Sequence, residues 1–496
     1  MTRFASLLFL TALTALGAQV PSPRTATTGN SGATFNKEVL PILQKNCQTC
    51  HRPGEVAPMS FLTYDSTRPW AKAIKEAVVS KKMPPWFADP HFGDFQNDPR
   101  LKEQDIKTIV AWVDGGAPEG DAKDKPAPVE WANGWSVQPD VVISMPELHS
   151  IPAKGAGEIK TFLVPNPFKQ DTWVNSIEIR PSSPSVVHHA MLQVPEPTPG
   201  PAFSWGGVSG AICIPPSGTE SFMESPVAVG QPNQRSSQPA PKPPKNFAIL
   251  EAVYVPGSPI TNFKIGGSAK RIPGGGNLSI EVHYTPNGKA VTDQTKVGFV
   301  LAKEPPQRRF VTLAPKSLAN VRKPIPAGAA NWETRGELEF AQDVQLVWMM
   351  PHMHLRGKDM TYSLVNPKGE TDTLLRANYN FNWQLGYELE YPIRVRKGSR
   401  LVVVAHHDNS ANNPFNPDAT KDVAWGNLTS EEMVLPWFGV IVDKDADPEK
   451  ILAVRQNGCG SNGPGLVQFL QIPLSNPTPP SIPNSIPAPT RKPGTK

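Results

Sequence analysis

The chain has 496 residues, more than one hydrophobic core can serve, so several domains are expected. Lys and Arg number 49 against 44 Asp and Glu, a net charge of +5 with both signs mixed along the chain. That mixture excludes the basic stripe of a nucleic-acid-binding protein. Prolines (57) and glycines (38) are abundant, yet remain below the level of a wholly disordered chain.

Residues 1–18 carry Arg3, an apolar run from Ala5 to Leu16 and the small pair Gly17-Ala18, the pattern of a cleaved secretory signal peptide. The run is too short for a membrane span. No cysteine follows it to carry a lipid, and no later segment is apolar enough to cross a bilayer. A secreted, periplasmic protein is therefore expected.

Three helices are predicted next. Thr34 to Lys45 sets Phe35, Val39, Leu40 and Leu43 near one face despite Pro41. Trp70 to Ser80 reads as a second helix. Leu101 to Asp114 spaces Ile106, Ile109, Val110 and Val113 helically and stops at Gly115-Gly116.

Between the first two lies Cys47-Gln48-Thr49-Cys50-His51. Two thiols three positions apart can add to the two vinyl groups of one porphyrin, and the adjacent histidine then faces the iron. Half of a zinc site is the other reading, but it needs two more nearby ligands and the next cysteine is Cys213. One covalent haem c is expected, held by Cys47, Cys50 and His51. Met83, in Lys82-Met83-Pro84-Pro85-Trp86, is the expected sixth ligand, with Met59 and His91 as alternatives. A thioether opposite the histidine raises the reduction potential and suits electron transfer. Residues 34–120 resemble a class I cytochrome c domain, which implies a small all-α electron carrier.

A linker over 121–139 follows, beginning with the proline-rich Ala122 to Pro128. From Asp140 the pattern changes to alternation. Strands are predicted at 141–144, 172–179, 186–194, 278–284, 296–301, 344–349, 360–365, 400–405 and 435–442, with a hairpin turn at Asn366 to Gly369. Many short strands punctuated by Pro and Gly point to β-sandwiches, and this length to two of them, divided near Lys303 to Pro306. The expected all-β domains are thus 140–305 and 306–473, in a multidomain chain with a proline-rich tail over 474–496. Pro195 to Pro244 is a Pro/Gly/Ser-rich insertion. Cys213 and Cys459 remain after the haem pair; they either form a disulfide or stay free.

Five of ten histidines fall in three settings: His188-His189, His283, and His352-Met353-His354. Residues i and i+2 of a strand share a face, so His352 and His354 can share one metal ion. Adjacent His188 and His189 normally face apart, so both binding one ion requires a bend or strand end. Imidazole suits copper and zinc, and a thioether added to two imidazoles favours Cu(I). His406-His407 reads as a strand end opening into a polar loop, with a supporting role near a metal as the alternative. His91 and His149, as isolated histidines, read as solvated.

The order Val-His188-His189-Ala-Met-Leu, Glu-Val-His283-Tyr-Thr, Pro-His352-Met-His354-Leu-Arg-Gly-Lys and Leu-Thr-Ser-Glu-Glu432-Met433 resembles the copper type II, ascorbate-dependent monooxygenases, relatives of dopamine β-monooxygenase and peptidylglycine α-hydroxylating monooxygenase. The resemblance covers about residues 140 to 445. It implies two jelly-roll-like antiparallel sandwiches with one copper each. His188, His189 and His283 match the ligands of the electron-transferring copper, and His352, His354 and Met433 those of the catalytic copper. Glu432 has no assigned role.

The implied reaction is hydroxylation of a C–H bond of a small organic substrate with O2, one electron coming from the other copper. An external donor, an ascorbate-like reductant or a redox protein, supplies electrons, with the fused haem as the expected relay. Two departures from the family stand out. Peptide-amidating members carry arginine where this chain has Met350, which argues against a glycine-extended peptide substrate. The animal enzymes are disulfide-rich, whereas here packing must hold the core. A multi-centre haem/copper electron-transfer or copper-binding protein without hydroxylase activity uses the same ligands and is the second reading.

Overall fold

The structure is a computed structural model and describes residues 32–131, 134–155, 157–194, 250–257, 260–314, 323–426 and 428–453. The expected signal peptide, Cys213, Cys459, the insertion after residue 195 and the C-terminal tail lie outside the described residues.

The N-terminal part is helical. A wide five-residue turn, Phe35–Val39, runs into α1 (Leu40–Asn46), followed by α2 (Tyr64–Thr67), α3 (Ala71–Val79) and α4 (Glu103–Asp114). Pro69 lies in a separate single turn, Arg68–Trp70, so α3 starts one residue later than expected. Phe35, Leu40, Leu43, Ile74, Val78, Ile109 and Trp112 form its core. Burying each such side chain is worth about 1.5–3 kcal/mol. The Trp112 indole N–H donates to the Pro118 carbonyl at 3.0 Å, so its one polar atom is satisfied. α4 stops at Gly115, and Gly116 has a φ of +90°, a conformation glycine adopts without strain.

The rest is sheet. The first half contributes β1 (Val141–Ser144), β2 (His149–Ile151), β3 (Glu158–Pro165), β4 (Thr172–Arg180), β5 (Val187–Gln193), β6 (Leu250–Tyr254), β7 (Ile260–Asn262), β8 (Ser268–Ile272), β9 (Asn277–Tyr284), β10 (Val291–Asp293) and β11 (Lys296–Leu301). The second contributes β12 (Arg308–Leu313), β13 (Trp332–Glu339), β14 (Val344–Met353), β15 (Gly357–Val365), β16 (Thr371–Asn378), β17 (Tyr387–Val395), β18 (Arg400–His407) and β19 (Val434–Asp443).

A nine-stranded sheet in the order β1-β11-β4-β8-β12-β19-β14-β17, with β7 on β4, runs through both halves. The sheet β3-β9-β5-β6 shares a core with its first half through Ile177, Ile179, Phe299, Ile280, Val282 and Leu192. The sheet β13-β18-β15-β16 shares another with its second half through Leu346, Phe438, Val440, Met360, Tyr362 and Val403. One sheet continues across the expected boundary near residues 303–306: β12 pairs in parallel with β8, from Arg308 opposite Ser268 to Phe310 opposite Lys270. The buried Lys270 ammonium ties this seam. It donates to the Leu250 carbonyl at 3.0 Å and the Thr312 hydroxyl at 3.1 Å, and pairs with Glu251 at 3.1 Å.

β14 and β19 serve two cores at once. Leu346, Met349 and Met353 face the second sandwich, as do Val434, Phe438, Val440 and Val442. Trp348 and Met350, with Met433, Leu435, Trp437 and Ile441, pack against the first. Burial on both faces explains why these strands read as unbroken apolar runs.

The helical part is docked on both sandwiches. Glu55 accepts from Arg52 at 2.9 Å and from Arg180 of β4 at 2.8 Å. The expected linker is packed as well: Arg52 lies 3.9 Å over the Trp131 ring, and Trp135 is buried. The stretch from Trp86 to Asn97 adds to the other end of the molecule. Ala88 bridges Ala377, Phe95 bridges Leu389, and Trp86 meets the Tyr387 ring edge-on at 4.8 Å.

Candidate metal centres

His188 and His189 sit near the start of β5, where pairing with β9 slips between Val187 and His189. That irregularity is the bend the adjacent pair requires, and it turns both rings to one side. Their Nδ1 atoms lie 3.2 Å apart. His283, on β9, is the ladder partner of His189. Ligand-capable nitrogens of His188, His189 and His283 all fall within 4.8 Å of one another.

The hydrogen bonds say which nitrogen is free. His188 donates from Nε2 to the Phe381 carbonyl at 2.8 Å, and the Phe381 ring lies flat on it at 3.9 Å. His283 Nε2 meets the Thr429 hydroxyl at 2.6 Å, while its Nδ1 is buried without a partner. Both rings therefore offer Nδ1 inward, the other nitrogen being fixed as metal-binding imidazoles require. Phe381 and Thr429 belong to the second half of the chain, so the first histidine set is oriented across the sandwich junction.

The second set is built the opposite way round. His352, at the end of β14, donates from Nδ1 to the Gln384 side-chain oxygen at 2.5 Å. His354 donates from Nδ1 to the Glu431 carbonyl at 3.1 Å. Nε2 is left for a metal in both. Ladder pairs Met353–Val434 and His352–Leu435, continued one step, set Met433 opposite His354. Glu432, fully buried, closes this corner: its carboxylate accepts from the backbone N–H of His354 at 3.0 Å, Arg356 at 2.5 Å and Met433 at 3.1 Å. Burial pushes the Glu432 carboxyl up to about 7, against those three donors.

The two sets meet. His189 and His352 rings are 5.6 Å apart and nearly perpendicular, the separation also found between His352 and His354. Burial pushes His188 and His352 down to about 4 and His283 to about 3, with His189 and His354 held well below the usual histidine range. At neutral pH the rings are uncharged, the form that carries a lone pair for metal.

In the helical part, Cys47, Cys50 and His51 share one turn, His51 N–H donating to the Cys47 carbonyl at 2.9 Å. Both thiols are free, and burial raises them to about 12 and about 11. Among the described residues, the ligand atoms that converge tightly enough for one ion are those of the first histidine set, not these three. His51 Nδ1 is buried without a partner and its ring stacks on Phe61 at 4.2 Å. Met83 follows α3 and is half-buried, whereas Met59 packs against the helical core alongside Cys47.

Three further histidines bear on the expectations. His149 is not solvated: it stacks on Tyr284 at 4.9 Å and bonds Glu158 at 2.6 Å, because β2 lies against the first sandwich rather than in open loop. His407 ends a strand, as expected, but is fully buried, its Nε2 3.7 Å from the Glu432 carboxylate and its ring edge-on to Trp425. His91 is exposed and bonds Asp89 at 2.7 Å. Phe381, Gln384 and Thr429 carried no signal in the sequence, since their partners lie 193, 32 and 146 residues away.

Among the described residues no helix is long and apolar enough to cross a membrane. No protein-family model and no curated protein matches the chain. A solved structure titled "Structure of infectious bursal disease virus Gt strain" aligns at 10% identity over 64% of this chain and 75% of that chain, with a TM-score of 0.16, too loose to bear on fold or function.

Proposed function

We propose that this chain is a copper-dependent monooxygenase that hydroxylates a C–H bond of a small organic substrate, with a fused c-type haem as electron inlet. One observation carries the reading. Four buried histidines and the half-buried His188 meet at the sandwich junction, His188 and His283 offering Nδ1 and His352 and His354 offering Nε2, with Met433 next to Val434, the ladder partner of Met353.

His188, His189 and His283 would hold one copper, and His352, His354 and Met433 the other. Three imidazoles serve both oxidation states of copper, whereas a thioether biases its site toward the reduced state. When bound, the metals supply oxygen activation and the electrons that convert C–H, O2, two electrons and two protons into C–OH and water. The chain's own part is orientation and exclusion of water. Phe381, Thr429, Gln384 and Glu431 fix the ring nitrogens, and Glu432 holds the backbone between the second-set ligands. Met350, Leu435 and Trp437 flank the second set along β14 and β19, buried in the core shared with the first sandwich.

For the haem, Cys47 and Cys50 would carry the thioethers and His51 would bind the iron, with Met83, or else Met59 or His91, as the candidate second iron ligand. Docking through Glu55 and Arg180 holds that unit against the sandwich bearing the first histidine set, a short-tether arrangement that suits internal electron delivery.

Replacing His354 or Met433 by Ala in the copper-loaded, reduced protein is expected to abolish oxygen-dependent product formation while leaving the three-histidine site loaded. Unchanged turnover would contradict the reading. The close contact of His189 with His352 also favours a second reading, an electron relay without hydroxylase activity; oxygen uptake indifferent to every added organic substrate would establish it.

A further inference from the structure

We infer that Gln384 is a positioning residue for both metal sites at once, so that its single amide couples them. The inference rests on the reading of the two histidine sets as copper ligands. Gln384 lies on the turn between β16 and β17 and is 2% exposed. Its side-chain oxygen accepts from His352 Nδ1 at 2.5 Å. Its amide nitrogen donates to the Phe381 carbonyl at 3.4 Å, and the same carbonyl accepts from His188 Nε2 at 2.8 Å. The amide nitrogen itself lies 3.4 Å from His188 Nε2. One side chain thus reaches a ligand of each site.

The chemistry requires an amide. An acceptor oxygen holds the proton of His352 on Nδ1 and frees Nε2 for metal. A donor nitrogen supports the carbonyl that holds His188 on its own Nε2 and frees Nδ1. A carboxylate offers only the first function, and an apolar side chain neither. The turn is itself braced: Asn380 accepts from Asn382 N–H at 3.0 Å, Trp383 N–H donates to the Asn380 carbonyl at 2.9 Å, and the Tyr379 hydroxyl bonds the Met353 carbonyl. A displacement of His352 is therefore transmitted along a short rigid path to His188.

The test uses the full chain loaded with Cu(II), reading the spin-resonance signal and chelator-competed affinity of each copper. Gln384→Met, similar in size, is expected to shift both signals and to weaken copper at both sites by about tenfold or more. Gln384→Glu keeps the oxygen toward His352 and loses the donor to Phe381; the Met-containing site should stay near wild type while the three-histidine signal shifts. Thr429→Val, which removes the hydroxyl bonded to His283 Nε2, should alter the three-histidine signal alone. If Gln384→Met leaves that signal unchanged while the other moves, the coupling role is overturned. If the wild-type chain binds no copper, the reading beneath it falls too, which separates the two failures.

Discussion

His406 and His407 are neighbours on β18 in opposite electrostatic settings. His407 is enclosed, and burial holds its pKa down at about 4. His406 bonds Asp359 at 2.8 Å, with Glu333 at 3.7 Å, and the Asp359 hydrogen bond raises its pKa. A histidine raised in the fold adds stability that is complete below its unfolded pKa, about 6.5, and disappears as pH climbs through the folded value. Asp359→Asn should therefore cost on the order of 1 kcal/mol at pH 5.5 and much less at pH 8.5. Urea unfolding at the two pH values checks this; an equal loss at both would show that the pair contributes no charge interaction. At this scale the sequence was informative about ligand type and spacing. It was silent on which ring nitrogen faces inward, because the deciding acceptors, the Phe381 and Glu431 carbonyls and the Gln384 amide, are brought in by tertiary folding.

Among the strands, legibility followed the density of the apolar pattern rather than burial: β6 (LEAVY), buried along its length, was missed because Glu251 interrupts it. β1 and β11 were readable to the residue, and β4, β5, β9 and β19 to within one or two, since each carries a dense apolar pattern. β13 and β17 were missed. Both end their sheets, and charged residues interrupt the apolar alternation of their sequences, WETRGELE and YELEYPIRV; the outer edge of β17 is covered by the backbone of Asp94 to Gln96. β8 was missed for another reason: Lys270 breaks its apolar pattern, and only the fold reveals that Glu251 and Thr312 accommodate the charge. The seam between the sandwiches also depends on a small residue. Gly439 of β19 sits between Thr312 of β12 and Trp348 of β14, and a methyl group there would run into the Phe310 ring. Gly439→Ala is expected to lower stability by about 1–3 kcal/mol, read as a lower urea midpoint. An unchanged midpoint would mean that the seam yields where its packing implies it cannot.

Over the whole molecule, three segments that looked separable in the sequence are interlocked. The helical unit meets the first sandwich through Glu55 and Arg180, and reaches the second through the Trp86 to Asn97 stretch. A continuous sheet joins the two sandwiches, and both histidine sets lie where they meet. Sequence spacing could not foresee that junction, because the parallel β8–β12 pair and the doubly buried β14 and β19 arise only from long-range pairing. Under the proposed function, this arrangement would bring the helical unit and both histidine sets into one electron path. The most direct measurement is the metal and haem content of the purified, copper-reconstituted full chain. One covalent haem and two coppers per chain are predicted, with one copper lost in His189→Ala and the other in His354→Ala. A wild-type chain that retains no copper, or that retains it equally in both variants, would contradict the account.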